Sequence, residues 1–294
     1  MSKDNPGDKN AKDTHYATLR RAHRDGKRER GEIPTPVQDK RKRSAAPDWK
    51  APQLAPDQVL LYGIHTVRAA LDNPERKITK LSVTQNALVR LETGPVEDLG
   101  FPVEIVTPQD LDKILGPDAI HQGAMLETVP LPVRSLSALN DSPLILVLDQ
   151  VTDPHNVGAI MRSAVAFNAG ALITTQRHSP TESGVMAKSA SGALEMIPYI
   201  QITNLSDALE QLHKLGFYSI GLDSEGPAPL EGAFVGPKIA LVLGAEGKGL
   251  RQLTRQTCSV VARLDMPGEI KSLNVSNAAV LALYIGSSRL GLMK

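Results

Sequence analysis

The chain has 294 residues, enough for two domains of ordinary size, with 41 % apolar residues and a formal net charge of +1. One cysteine, Cys258, excludes a disulfide framework and any cysteine-based zinc site, and fits a reducing, cytosolic setting. Aromatics at 3 % argue against a stacking platform for single-stranded bases, and no apolar run nears the roughly 18 residues that a membrane span needs.

The charge is unevenly spread. Residues 1–50 hold fourteen Lys/Arg against eight Asp/Glu, a net of +6, which leaves −5 for the rest. Residues 1–54 lack apolar periodicity and read as a disordered basic tail, densest at Arg20–Arg30 and Lys40–Arg43. Such a tail suits a polyanion such as RNA, or serves only solubility. The opening MSKDNPGDKN holds no apolar stretch, so a secretory leader is not expected.

Residues 57–130 read as a small α/β unit. Strands are expected at Val59–Tyr62, Ile78–Val83, Val103–Val106 and Ala124–Val129, and helices at Ile64–Leu71, Ala87–Leu99 with an interruption at Gly94–Pro95, and Pro108–Leu115. Pro130, Pro132 and a polar stretch make 131–142 a linker. From residue 143 longer strand–helix units follow, as in an α/β domain with a mainly parallel sheet. Strands are expected at Leu144–Leu148, Ala171–Thr174, Ile197–Ile202, Tyr218–Leu222, Ile239–Leu243 and Cys258–Leu264. Helices are expected at Ala159–Asn168, Ser183–Ala193, Ser206–Leu215 with Ser206 as its cap, Leu250–Gln256 and Asn274–Ser288.

Three strand–loop–helix junctions stand out. In the first, Asp153–Gly170, Pro154, Asn156 and Gly158 form a turn and Arg162 falls in the first turn of the helix that follows, near the carboxyl ends of the strands, where open α/β sheets bind ligands. Asn156 as a turn residue and Arg162 as a surface ion-pair partner remain the plain alternative. In the second, Leu241–Leu250, Gly244, Gly247 and Gly249 permit close backbone approach, and Glu246 puts a carboxylate at the loop tip. Lys248 is followed by Gly249 at the wrong spacing for a Walker A phosphate loop, and no GxGxxG fingerprint exists, which disfavours a nucleotide hydrolase. In the third, Leu264–Ala279, the strand stops at Met266-Pro267-Gly268 and Ser272 or Asn274 can cap the last helix. The seven histidines show no ligand spacing, so no metal site is expected.

Together, Asn156…Arg162, Gly244-Ala245-Glu246-Gly247 and Ser272-Leu273-Asn274 strongly resemble the SpoU branch of the SPOUT methyltransferases over Leu144–Lys294, about half the chain. Leu61–Leu71, LYGIHTVRAAL, looks like the start of the small L30e/L7Ae-like substrate-binding domain of the bacterial 23S rRNA guanosine-2′-O-methyltransferase subgroup. The resemblance implies a SPOUT α/β-knot domain at 143–294 with a deep trefoil knot, preceded by an RNA substrate-binding domain at 57–130. It implies S-adenosylmethionine as cofactor, rRNA as partner, and a homodimer packed through the knot region and last helix. It assigns cofactor contacts to Gly244, Met266 and Leu273, with Leu243, Leu264 and Ser272 in the same pocket. It assigns catalysis to Arg162, Asn156, Glu246 and Asn274, with Asn156 and Asn274 expected to hold Arg162 and the ribose. Glu246 would orient Arg162, receive a backbone N–H, or accept a proton. A guanidinium stays protonated, so Arg162 is expected to clamp a phosphate and stabilise the developing alkoxide. The alternatives are tRNA 2′-O-methylation and a catalytically silent RNA-binding or ribosome-assembly protein.

Overall fold

The computed structural model describes Trp49, Pro52, Leu54, Ala55 and residues 57–139, 142–270 and 272–293. The basic clusters Arg20–Arg30 and Lys40–Arg43 lie outside the described residues, as do Asn140, Asp141 and Lys271.

The first sheet is built from β1 (Val59–Tyr62), β2 (Ile78–Val83), β3 (Val103–Ile105) and β4 (Ala124–Thr128), in the order β1-β4-β2-β3. β4 is antiparallel to β1 and β2, while β2 and β3 are parallel. Helices α1 (Ile64–Asp72) and α2 (Gln85–Leu91) bury Val67, Ala87 and Leu91 with Leu61, Leu81 and Leu126 on one face. Helix α3 (Pro108–Leu115) sets Leu111 against Leu60 and Met125 on the other. The helix expected over Ala87–Leu99 ends early. Glu92 turns left-handed at φ +52°, and Pro95 admits only a short 3-10 turn at Val96–Asp98.

The second sheet holds seven strands, every pairing parallel. They are β5 (Leu144–Asp149), β6 (Leu172–Thr175), β7 (Tyr199–Ile202), β8 (Tyr218–Leu222), β9 (Ala228–Pro229), β10 (Ile239–Gly244) and β11 (Val260–Arg263), in the order β7-β6-β5-β10-β8-β11-β9. Strands β5 and β10 sit centrally and read as unbroken apolar runs because both faces are covered. Leu144, Leu146, Leu148, Leu241 and Leu243 face α4 (Pro154–Ala166), α5 (Gly184–Ala190) and α8 (Val275–Arg289). Ile145, Val147, Ala240 and Val242 face α6 (Leu205–Lys214) and the region of α7 (Gln252–Thr257).

Several boundaries differ from the sequence reading, each for a local reason. Helix α4 begins at Pro154, five residues before Ala159. Asp153 caps it by accepting from the His155 N–H, and proline is favourable at the first helical position. Gly158 is therefore not a turn residue but the point where α5 crosses α4. A Cβ there would lie 2.4 Å from the Met186 carbonyl oxygen. Arg162 consequently falls in the third turn, not the first. Helix α6 is capped by Asn204, whose side chain accepts from the Ser206 N–H, so Ser206 is inside the helix. Strand β11 is shorter than Cys258–Leu264, since Cys258 closes α7. The two-residue β9 was not expected at all.

The two sheets meet along α5. Thr66 Oγ1 donates to the Ala187 carbonyl at 3.2 Å, and Lys188 Nζ to Gln122 Oε1 at 2.8 Å. Arg76, fully buried, pairs with Glu182 and Glu195 at 2.5 Å each and donates to the Val129 carbonyl at 3.1 Å. The linker is pinned too: Leu131 N–H reaches Glu182 at 2.8 Å, and Arg134 bridges to Ile200 of β7.

Candidate active site

The site forms at the carboxyl ends of β5, β8, β10 and β11. Strand β10 ends in Gly244, and the chain doubles back at once. Ala245 bridges Gly249, with the Gly249 N–H donating to the Ala245 carbonyl at 2.9 Å. Only glycine fits at 244, because a Cβ would lie 2.1 Å from the carbonyl carbon and oxygen of Gly249. Two ion pairs hold the far end of this loop. Asp149, the buried last residue of β5, accepts from Arg251 Nε at 2.7 Å and from the Arg251 N–H at 3.1 Å. Asp223, just past β8, accepts from Arg255 at 2.9 Å.

Beneath the loop lies a cavity of about 270 Å³. Leu243, Gly244, Leu264, Met266, Ser272 and Leu273 line it, the six residues expected at a cofactor pocket. Leu222, Asp223 and Ser224 join the wall, as do Glu246, Val275 and Ala278. Sequence reasoning passed over the first three, although their place at the carboxyl end of a strand beside β10 was the available signal.

Three of the four expected catalytic residues interlock. Asn274 Oδ1 caps α8, accepting from the Ser276 N–H at 2.8 Å and from its hydroxyl at 2.5 Å. Asn274, not Ser272, is therefore the cap. Asn274 Nδ2 donates to Asn156 Oδ1 at 3.1 Å, joining the starts of α4 and α8. Glu246 Oε1 accepts the N–H of Val275 at 3.2 Å, tying the loop tip to the same helix start. Arg162 stands apart. It lies six residues beyond Asn156, about 9 Å along the helix axis. Its side chain is exposed, lines neither this cavity nor the one beside it, and has no hydrogen-bond or ion-pair partner among the described residues.

No group of three or more His, Cys, Asp or Glu among the described residues is placed to hold a metal ion. No described helix is long and apolar enough to cross a membrane.

Comparison with known proteins gives this geometry a family. The SpoU rRNA Methylase family profile matches residues 143–284, and an RNA 2′-O ribose methyltransferase substrate-binding profile matches 60–133. A 23S rRNA (guanosine-2′-O-)-methyltransferase, RlmB, of Ralstonia nicotianae is 39 % identical over 76 % of this chain and 93 % of its own. The enzyme of the same name from Pseudomonas putida is 35 % identical over 76 % and 94 %. The chain belongs to the SpoU rRNA methylase family. Solved structures share the SpoU fold. The SpoU methyltransferase AviRb from Streptomyces viridochromogenes, in complex with AdoMet, superposes with a TM-score of 0.68 at 21 % identity, over 79 % of this chain and 90 % of that one. An AdoMet-bound rRNA methyltransferase from Sinorhizobium meliloti gives 0.67 at 21 %, over 81 % and 89 %. The glycine loop, the Met266–Leu273 turn and the start of α4 at Asn156 are the three junctions singled out in the sequence.

Proposed function

We infer that this chain is an S-adenosylmethionine-dependent 2′-O-ribose methyltransferase of rRNA, acting on a 23S guanosine. One observation carries the reading: the loops that follow β8, β10 and β11 meet around a single cavity, with the Asn156–Asn274 pair beside it. The cavity suits the cofactor. Leu243, Leu264, Leu273 and Ala278 offer apolar surface to an adenine, while Asp223, Ser224 and Ser272 offer polar groups to a ribose and an amino-acid end. Bound there, the cofactor supplies an electrophilic methyl group on a sulfonium.

The residues of this chain have the remaining work. The nucleophile is a neutral ribose hydroxyl; its oxygen bonds to the methyl carbon as the carbon–sulfur electron pair stays on sulfur, and its proton must leave. Asn156 and Asn274, each fixing the other, hold the sugar in line. Glu246 is the carboxylate common to both neighbouring cavities; with Oε1 on Val275, its other oxygen can take the proton. Arg162 supplies a fixed positive charge for the flanking phosphate and the developing alkoxide.

Arg162 does this from a second copy of the chain. Over Ala278–Gly286 helix α8 is apolar on every face, a pattern expected of a covered helix, yet Val280, Leu281 and Tyr284 are exposed. A homodimer closed over this stripe covers them and brings the α4 surface of one protomer to the cavity of the other. The strand order supports the trefoil knot of the family. β11 lies between β8 and β9, so the segment 223–227 that joins those two strands must arch across β11, and the chain after β11 leaves past that arch. Such crossings are rare. The four-stranded unit is an L30e/L7Ae-like domain that selects the RNA, and the enzyme works in the cytoplasm.

The test is transfer of labelled methyl from S-adenosylmethionine to unmodified 23S rRNA, with the product nucleotide mapped. A guanosine 2′-O-methyl mark is expected. A mark on tRNA alone would move the substrate, and binding of cofactor and RNA without transfer would favour the silent assembly protein.

A further inference from the structure

Across the Glu246–Val275 hydrogen bond from the cofactor pocket lies a second cavity of about 370 Å³. The two share Ala245, Glu246 and Val275, so a single wall separates their contents. Its backbone is unusual. Six described residues other than glycine have φ in the left-handed region, and two of them, Gln150 at +60° and His178 at +64°, line this cavity. Glu92 and Ser191, by contrast, terminate helices, where such a φ is common. The His178 turn is held closed from β6: Thr175 Oγ1 donates to the Arg177 carbonyl at 2.6 Å, and the Thr174 and Ser179 hydroxyls bond to each other. His178 is thus presented by a fixed turn, not by a loose loop.

The polar groups there are unspent. Gln150, Thr152, His178 and Lys248 have no side-chain hydrogen bond or ion pair among the described residues, although Asp153 and Glu246 line the same walls. The chemistry is mixed: a cation and an imidazole share the lining with carboxylates and amides. A polyphosphate would meet two carboxylates. One phosphodiester with its sugar and base would not need to.

Resting on the methyltransferase reading above, we propose that this cavity is the acceptor subsite and takes one unstacked RNA nucleotide. Lys248 and His178 hold its phosphate, Gln150 and Thr152 face the polar edge of its base, and its ribose hydroxyl lies at the Asn156–Glu246 wall. A cavity of this size admits a whole nucleotide only when it is free of a helical stack, and bulges and loops supply one. The subsite also gives Lys248 a role that the failed Walker A spacing left open. A lysine here meets a backbone phosphate, not a nucleotide cofactor.

The experiment compares the wild-type enzyme with Lys248→Ala, Lys248→Arg, Gln150→Ala and Lys248→Ala/His178→Ala, using unmodified 23S rRNA and S-adenosylmethionine. For Lys248→Ala we expect KM for RNA to rise about tenfold and the salt slope of RNA binding to fall by about one. Cofactor Kd should stay within about twofold, since the two cavities share only their wall. Lys248→Arg restores most of the affinity, and Gln150→Ala lowers kcat/KM. RNA KM and salt slope unchanged in the double variant, with transfer intact, would overturn the subsite. A wild-type protein that transfers no methyl group would overturn the activity instead. Anisotropy of a labelled oligoribonucleotide on wild type and Lys248→Ala would then decide the subsite alone, equal affinities overturning it.

Discussion

Replacing Gly244 by alanine tests the architecture of the cofactor pocket at its tightest point. The added Cβ would lie 2.1 Å from the Gly249 carbonyl and 2.5 Å from the Leu250 nitrogen, against an ordinary contact that begins at 3.4 Å. Both neighbours are backbone, so neither can swing aside; the loop must move by about 1.3 Å, the difference between those distances. Overpacking of this kind costs about 1–3 kcal/mol. The φ of Gly244 is not in the left-handed region, so the cost is steric, and the stiffer unfolded chain offsets about 0.4–1 kcal/mol of it. If the strain is relieved by opening the loop, it falls on ligand binding, and S-adenosylmethionine should bind about fivefold to about a hundredfold more weakly. If it is borne by the fold, Tm drops by roughly 2–4 °C per kcal/mol for a unit of this size. Isothermal titration and thermal melting, run on the same preparation, separate the two. A variant with parental cofactor affinity and parental Tm would refute the argument, because it would mean that Gly244 and Gly249 are not in contact.

Asn274→Asp keeps a good helix cap but loses the amide that donates to Asn156. Tm should shift by less than about 2 °C while turnover falls about 10- to 100-fold, and full turnover would dismiss the amide pair from the mechanism. Arg76→Ala strands two buried carboxylates, Glu182 and Glu195, and should cost on the order of 3–5 kcal/mol in urea unfolding. Arg76→Met combined with Glu182→Gln and Glu195→Gln should recover most of that loss; equal destabilisation would show that shape, not charge, matters at the seam. Burial, reinforced by the Asp149 charge, pushes the Cys258 thiol from its ordinary 9.0 up to about 12. The unfolded chain therefore gives up this proton first. The thiol's contribution is complete below pH 9 and is lost as pH climbs from about 9 towards about 12, at up to about 1.4 kcal/mol per unit. The stability gap between wild type and Cys258→Ala should narrow above pH 9 in urea titrations, and a gap independent of pH would contradict the burial of the thiol.

What was legible in the sequence follows from what local chemistry reports. Strands β5 and β10 are covered on both faces, so Leu144–Asp149 and Ile239–Gly244 announce themselves as apolar runs. The six positions expected at the cofactor came from the family resemblance, and all six line one cavity; their turns are marked in the chain by Gly, Pro and Asn. The start of α4 was misread because Pro154 and Gly158 are turn formers in isolation. Here one is a favourable first helical residue and the other a crossing point whose partner, Met186, lies far away in sequence. β9 is too short to carry a period. The positions of Gln150, His178 and Lys248 around one cavity depend on three separate loops and leave no pattern in the chain. The isolation of Arg162 is a tertiary fact, since helical spacing says which face it shares but not what that face meets.

The order in which the pocket's walls leave the ribosome has its own consequence. Its floor, Leu222 to Gly249, is synthesised well before Leu264–Ala278, which close it. A nascent chain stalled at β11, or one clipped after it, carries half a binding site and no means of gripping the methyl donor. Ligand affinity therefore serves as a proofreader of completion: in a mixed population, only molecules whose last residues have folded into place would be retained on an immobilised analogue of S-adenosylmethionine.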